Sequence, residues 1–127
     1  MSVNIPISIG ELWDKYTILR IKQKKIHNEI KLSHINLEIT YLQQYMNNYS
    51  YIDNYLFIDL ENTNCFLWDI EDKLRIKEQL KIFDNEFIEL ARSVYYTNDK
   101  RSEIKNQINV LFNSIIYDIK EYINYNV

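Results

Sequence analysis

At 127 residues, 46% of them hydrophobic and 26% charged, the chain has the size and balance of a single packed domain spanning 1–127, which argues against disorder. A net charge of −3 supplies no basic field for a phosphate backbone, so no nucleic-acid partner is expected, and a lone cysteine, Cys65, rules out an internal disulfide or a zinc cluster. One glycine and one proline, Gly10 and Pro6, leave everything after residue 10 almost without the turn residues a sheet protein needs, which points to an all-α fold.

Residues 2–7 alternate between apolar and polar and read as an extended lead-in. Ser8 stands three residues before Glu11, the spacing of a helix-capping box, so helix A starts there. Its apolar stripe runs through Leu12, Tyr16, Leu19, Ile26 and Ile30, slips near 31–34, and resumes as Leu32, Ile35, Ile39, Leu42 and Met46. With neither Gly nor Pro at the slip, the sequence predicts one helix of about 40 residues, kinked near 31–34, over two separate helices. Asn47-Asn48-Tyr49-Ser50 is the next turn, and Ser50 with Asp53 caps helix B, which carries Leu56, Leu60, Leu67, Ile70 and Leu74. Asn62-Thr63-Asn64 is a weak patch in it. A turn at 83–85, capped by Asp84 with Phe83 as a staple on Ile88, opens helix C. That helix shows Phe87, Leu90, Val94, Ile104, Ile108, Leu111, Ile115 and Ile119. Short turns make the three long helices an antiparallel up-down-up bundle.

Charge interrupts the stripes in three places: Glu11, Asp14 and Lys15 on helix A; Trp68, Asp69, Glu71, Asp72 and Arg75 on helix B; and Arg92, Tyr95, Asn98, Asp99 and Arg101 on helix C. Counting from the B–C turn with the common helical rise sets residues 69–72 level with 95–98 and with 17–20, giving a polar layer at one end of the bundle. The first reading of that layer is architectural: inter-helical salt bridges that fix register. The second is a cleft for a small anionic or polar ligand, with Arg92, Arg101 and Lys15 as anchors and Trp13 or Trp68 as a wall. The third is Mg²⁺-assisted chemistry on a phosphorylated small molecule such as a nucleotide or sugar phosphate. Its metal candidates are Asp69, Asp72 and Asp99, with Glu11 and Asp14 as further oxygen donors. No E-x-x-E pair faces an E-x-x-D pair, as it does in all-helical nucleotide pyrophosphatases. Trp13 and Trp68 read first as core anchors, His27 and His34 as solvated surface, and Cys65 as a small buried hydrophobe.

No apolar run approaches the roughly 18 residues of a membrane span, and the N-terminus lacks the plan of a signal peptide, so neither a membrane partner nor export is expected and the cytoplasm is the compartment that fits. Ile, Asn, Lys and Tyr make up about 45% of the chain, well above ordinary usage. They have AT-rich codons and indicate an AT-rich bacterial, phage or viral genome; for a virus the compartment becomes the host cytoplasm. Eleven tyrosines on a slender bundle favour a homodimer.

Three segments together resemble a known family. They are Ile5-Pro6-Ile7-Ser8-Ile9-Gly10-Glu11-Leu12 leading to Asp14-Lys15 and Thr17-Ile18-Leu19; Leu67-Trp68-Asp69-Ile70-Glu71-Asp72; and Phe87-Ile88, Leu90-Ala91-Arg92-Ser93-Val94-Tyr95, Asn98-Asp99, Arg101, Ile104-Lys105 and Ile108-Asn109. In order and spacing they are similar to an uncharacterised family of short, mostly bacterial proteins classed as a domain of unknown function. The resemblance implies an all-helical fold and a link to glycan biosynthesis. With no established activity in the family, it carries over no catalytic roles. It stresses the same polar residues as the stripes, adds Ser93, and leaves 27–60 as spacer. The reading as a whole is a non-enzymatic accessory or interaction module with no cofactor, Mg²⁺ entering only under the hydrolase alternative.

Overall fold

A computed structural model describes residues 1–49 and 55–126. The all-α expectation holds, with four helices among those residues where the stripes indicated three: α1 (Ile9–Lys25), α2 (Glu29–Met46), α3 (Tyr55–Leu80) and α4 (Asn85–Leu111). The expected cap at Ser50 and Asp53 lies outside the described residues.

The long first helix does not form, and the break falls at 26–28, before the slip at 31–34. Lys22, Lys24 and Lys25 close the last turn of α1, where cations suit the carbonyl end of the helix dipole. Ile26 is then extended, and the Asn28 side chain accepts from the Lys31 amide at 3.0 Å, capping α2. The stop needs no glycine or proline. An asparagine able to satisfy a new helix start is enough. The chain reverses there, and α2 runs back along α1: Gln23 donates to Asn36 (2.9 Å), Tyr16 to Gln43 (2.8 Å), and the Trp13 indole to the Tyr49 carbonyl (2.8 Å).

That reversal corrects the register. α1 lies parallel to α3, joined by Arg20–Glu61 (2.7 Å) and Lys25–Asp69 (3.5 Å), and antiparallel to α4. Residues 69–72 therefore stand level with the end of α1, and not with 17–20. α1 is the central helix and lies beside all three others, whereas α2 lies beside α1 alone. Beyond the Lys25–Asp69 pair, α3 and α4 continue as a two-helix arm tied at its tip by Lys77–Asp84 (3.0 Å). Asp84 caps α4 through the Phe87 amide, and Phe83 packs edge-on to the Phe87 ring. The Asn62–Asn64 patch does not interrupt α3, where the Thr63 hydroxyl bonds back to the Asp59 carbonyl (2.7 Å).

The core gathers Leu12, Trp13, Met46, Leu56, Leu60, Ile104 and Ile108. Trp13, fully buried, meets Phe57 and Phe112 edge-on, each at 5.4 Å. It is a core anchor and cannot wall a cleft. His27 and His34 are exposed, and Cys65 is half-buried.

α4 ends at Leu111, well before the last residues of its expected stripe. Asn113 takes a left-handed φ of 51°, and the Ser114 amide bonds the Asn109 carbonyl at 2.8 Å, closing the helix as a Schellman motif does. Ile115 and Ile119 are consequently exposed. Residues 113–126 run back along α4: Asn106 donates to the Asp118 carbonyl (3.1 Å), and the Tyr125 ring lodges against Tyr95 and Tyr96. α3 closes the same way on Lys81, whose φ is 57°. A lysine there carries about 1–2 kcal/mol of left-handed strain, against roughly 0.5–1 kcal/mol of extra chain entropy that a glycine would lose. Lys81→Gly should therefore stabilise the protein by about 0.5 kcal/mol, read as a higher urea midpoint at unchanged slope.

Candidate functional site

The charged residues do converge, through a face of α1 that hydrophobic stripes do not reveal. Gly10, Asp14, Thr17 and Ile21 recur at helical spacing and are all buried, because α1 is enclosed by its three neighbours. Gly10 lets α4 come close: its amide donates to the Asn109 side chain at 2.6 Å. The next amide bonds the Ser8 hydroxyl (3.0 Å) and the previous one the Ser114 hydroxyl (3.3 Å), so the free donors of the α1 start are spoken for.

One turn on, Asp14 is 1% exposed. Arg101 clamps it with two bonds, Nε to Oδ1 at 2.9 Å and Nη2 to Oδ2 at 2.5 Å. The Asn64 amide group gives one hydrogen to Asp14 Oδ1 and one to Thr17 Oγ1, both at 2.9 Å, and the Thr17 hydroxyl closes on the Asp14 carbonyl. Lys105, 7% exposed, bonds Glu11 at 2.7 Å and stands 3.9 Å from Asp14 and 3.8 Å from Asp118. Burial alone would raise the Asp14 pKa. The hydrogen bonds from Arg101 and Asn64, with the charges of Arg101 and Lys105, overcome it and hold the carboxyl below its ordinary range. In turn the Asp14 hydrogen bond raises the Arg101 pKa further against its own desolvation.

Two clefts flank this layer, and Asn98 and Arg101 line both. The first, about 530 Å³, lies between α1, α4 and the C-terminal segment and takes in Glu11, Tyr95, Asp99 and Lys105. The second, about 370 Å³, lies between α1, α3 and α4 and takes in Trp68, Glu71, Asp72 and Arg75. The remaining sequence candidates fall elsewhere. Asp69 is exposed and pairs with Lys25. Lys15 is exposed and pairs with Glu11 on its own helix (3.5 Å). Arg92 bonds Glu89 (3.0 Å) and Tyr96 (3.2 Å), also on its own helix, and does not line either cleft.

The sequence candidates do not form a cation cage. Among the described residues no three His, Cys, Asp or Glu side chains are grouped to hold a metal ion. Asp14 is already saturated by Arg101 and Asn64, Asp69 faces Lys25, and Asp99 accepts from the Tyr125 hydroxyl. Asp72 lines the second cleft with Glu71, and among the described residues no third carboxylate joins them there.

Several residues of the layer were not singled out by the charge pattern. Asn64 looked like helix-weakening polarity, yet it occupies the inward place between Leu60 and Leu67. Asn109 and Lys105 adjoin Ile108 and Ile104 on the buried side of α4. Asp118 reaches the layer only because the chain turns back at Asn113. The chain matches no family model, no curated protein and no solved structure.

Proposed function

We propose that the chain is a non-enzymatic helical interaction module that works as a cytoplasmic homodimer, with the Asp14–Arg101–Lys105 layer as its architecture. The observation that carries the reading is the closure of that layer. Asp14, Arg101, Lys105 and Glu11 each already meet an opposite charge at hydrogen-bonding distance. A catalytic acid or base needs a pKa near the working pH. Here Asp14 is pushed down and Arg101 up, away from neutrality on both sides. Such a pair fixes which helix faces which and has no proton to trade. We place the chain in the helical family of unknown function that its motifs resemble. Supporting this, Gly10, Glu11 and Asp14 from the first motif meet Arg101, Lys105 and Asn109 from the third.

The partner surface of this proposal is the outer face of α2, the helix with one neighbour. Ile30, Leu37, Tyr41 and Tyr45 stand exposed along it. A two-fold interface must be self-complementary. Antiparallel pairing of two α2 helices about Leu37 sets Ile30 against Tyr45 of the partner subunit and His34 against Tyr41 of the partner subunit. Leu37 then sits near the axis, where an introduced charge meets its own copy. Light scattering should give a dimer for the native chain and a monomer for Leu37→Arg, with the melting temperature of the fold retained. A native monomer at micromolar concentration, or a Leu37→Arg dimer, would overturn the assignment.

A further inference from the structure

The cleft between α1, α4 and the C-terminal segment is lined, beyond Glu11, Arg101 and Lys105, by residues that the architectural role does not use, and we infer that it is a binding site for a neutral, hydroxyl-rich ring of the pyranose kind. Three features of the cleft select that chemistry.

The first is charge. Lys105 is held by Glu11 and Arg101 by Asp14, both at hydrogen-bonding distance. A phosphate or carboxylate bonding either of these two cations would have to displace its resident carboxylate, which is costly; Lys120, the remaining cation of the lining, is exposed to solvent with Asp118 3.7 Å away. A neutral ligand disturbs none of these pairs. The second is an acceptor left open. Asp118 Oδ2 is buried and accepts no hydrogen bond within the described residues, with the Lys105 and Lys120 ammonium groups 3.8 and 3.7 Å away. Leaving such an atom unmet costs on the order of 1–3 kcal/mol, and a hydroxyl, which both donates and accepts, can bond the carboxylate while taking a hydrogen from an ammonium. Asn98, Asp99 and Ser102 add short planar or hydroxyl partners on the same wall. The third is aromatic surface. Tyr95 and Tyr125 meet at 5.2 Å and 64° to form a corner, and Tyr122 stands exposed beside them in the lining. Flat apolar faces next to clustered acceptors match a sugar ring, whose C–H faces are apolar and whose rim is polar. The volume of about 530 Å³ is within the range of small-molecule sites.

The cleft owes its existence to the strap of residues 113–126. The Tyr125 hydroxyl donates to Asp99, which pushes its pKa up to about 12, and Asn106 holds the Asp118 carbonyl. Without that strap α4 would present a bare face with no cleft.

The test is saturation-transfer NMR on the full chain with methyl glucoside, methyl mannoside, methyl galactoside and N-acetylglucosamine at millimolar concentration, with glucose 6-phosphate and inorganic phosphate beside them. At least one neutral sugar should receive saturation. Tyr122→Ala, at an exposed position whose ring lies 5.8 Å from the Lys120 ammonium, should weaken it about fivefold through lost stacking. Asp118→Asn should weaken it further, and if that variant proves unstable Tyr122→Ala still decides. Silence from every neutral sugar, preference for the phosphorylated compounds, or binding untouched by Tyr122→Ala would each overturn the inference.

Discussion

Replacing Asp14 by alanine should cost about 3–5 kcal/mol, because it strands two cations inside the protein. Arg101 loses both bonds of its clamp, and Lys105, almost wholly buried, loses one of its carboxylates. Asn64 loses an acceptor at the same stroke. Against a stability of roughly 5–15 kcal/mol for a domain of this size, that leaves a chain that is marginal or unfolded at 37 °C, as urea denaturation will show. The pH dependence follows from the same geometry. The folded Asp14 carboxyl sits below its unfolded value of 3.8, so its contribution is complete above that value and is lost as pH falls through the folded one. An acid titration of Asp14→Ala should lack this part of the slope below about pH 4. Replacing Asp14 and Arg101 together by Leu and Met removes the charge from both sides. The double variant should recover most of the loss, since well-packed apolar residues often match a buried ion pair. A double variant as unstable as Asp14→Ala would mean that the layer contributes more than charge balance.

Gly10→Ala is the second large effect expected, about 3 kcal/mol of destabilisation from overpacking. A Cβ at residue 10 would lie 2.3 Å from the Lys105 carbonyl oxygen and 2.9 Å from the Asn109 side chain. A backbone oxygen cannot swing aside, so α1 and α4 must separate. The Gly10–Asn109 bond and the Glu11–Lys105 pair stretch with them. The roughly 1 kcal/mol gained from alanine as a better helix former does not offset this. Asn109→Ala in the same chain should not rescue it, because the closer of the two contacts is with backbone. Thermal melts of the single and double variants separate the two contacts.

The helical class was legible because a chain with one glycine and one proline has few other ways to satisfy its backbone. The start at Ser8 and the cap at Asp84 were legible because both are local: a short side chain bonding an amide three residues on. The break after Lys25 was not, since neither glycine nor proline marks it and Asn28 ends the helix by capping the next one. A continuous first helix would run antiparallel to α3, whereas the hairpin turns α1 parallel to it, shifting the level of Asp69 and Asp72 by about two turns. Glu11, Asp14 and Arg101 were legible as charges out of place on an apolar stripe. Asn64, Thr17 and Asn109 were harder, because a neutral polar residue in a helix reads the same whether it faces water or a buried carboxylate. Only the company of Gly10, Asp14 and Thr17 at helical spacing marks that face as inward, and it does so only once α1 is known to be surrounded.

A helix enclosed by the other three, and preceding them in sequence, imposes an order on folding. The bonds that seal it join residues far apart in sequence: Gly10 with Asn109, 99 positions on, and Asp14 with Arg101, 87 positions on. Its partners on α2 and α3 are synthesised before α4, so during translation α1 can dock on one side while Asp14 waits, solvated, for an arginine not yet made. Loops of that length are costly to close before the contacts that reward closure exist. On loop length alone the α1–α2 and α3–α4 hairpins are the units expected to form early, and their docking, when the carboxylate and the guanidinium give up their water together, is the step expected to be slow.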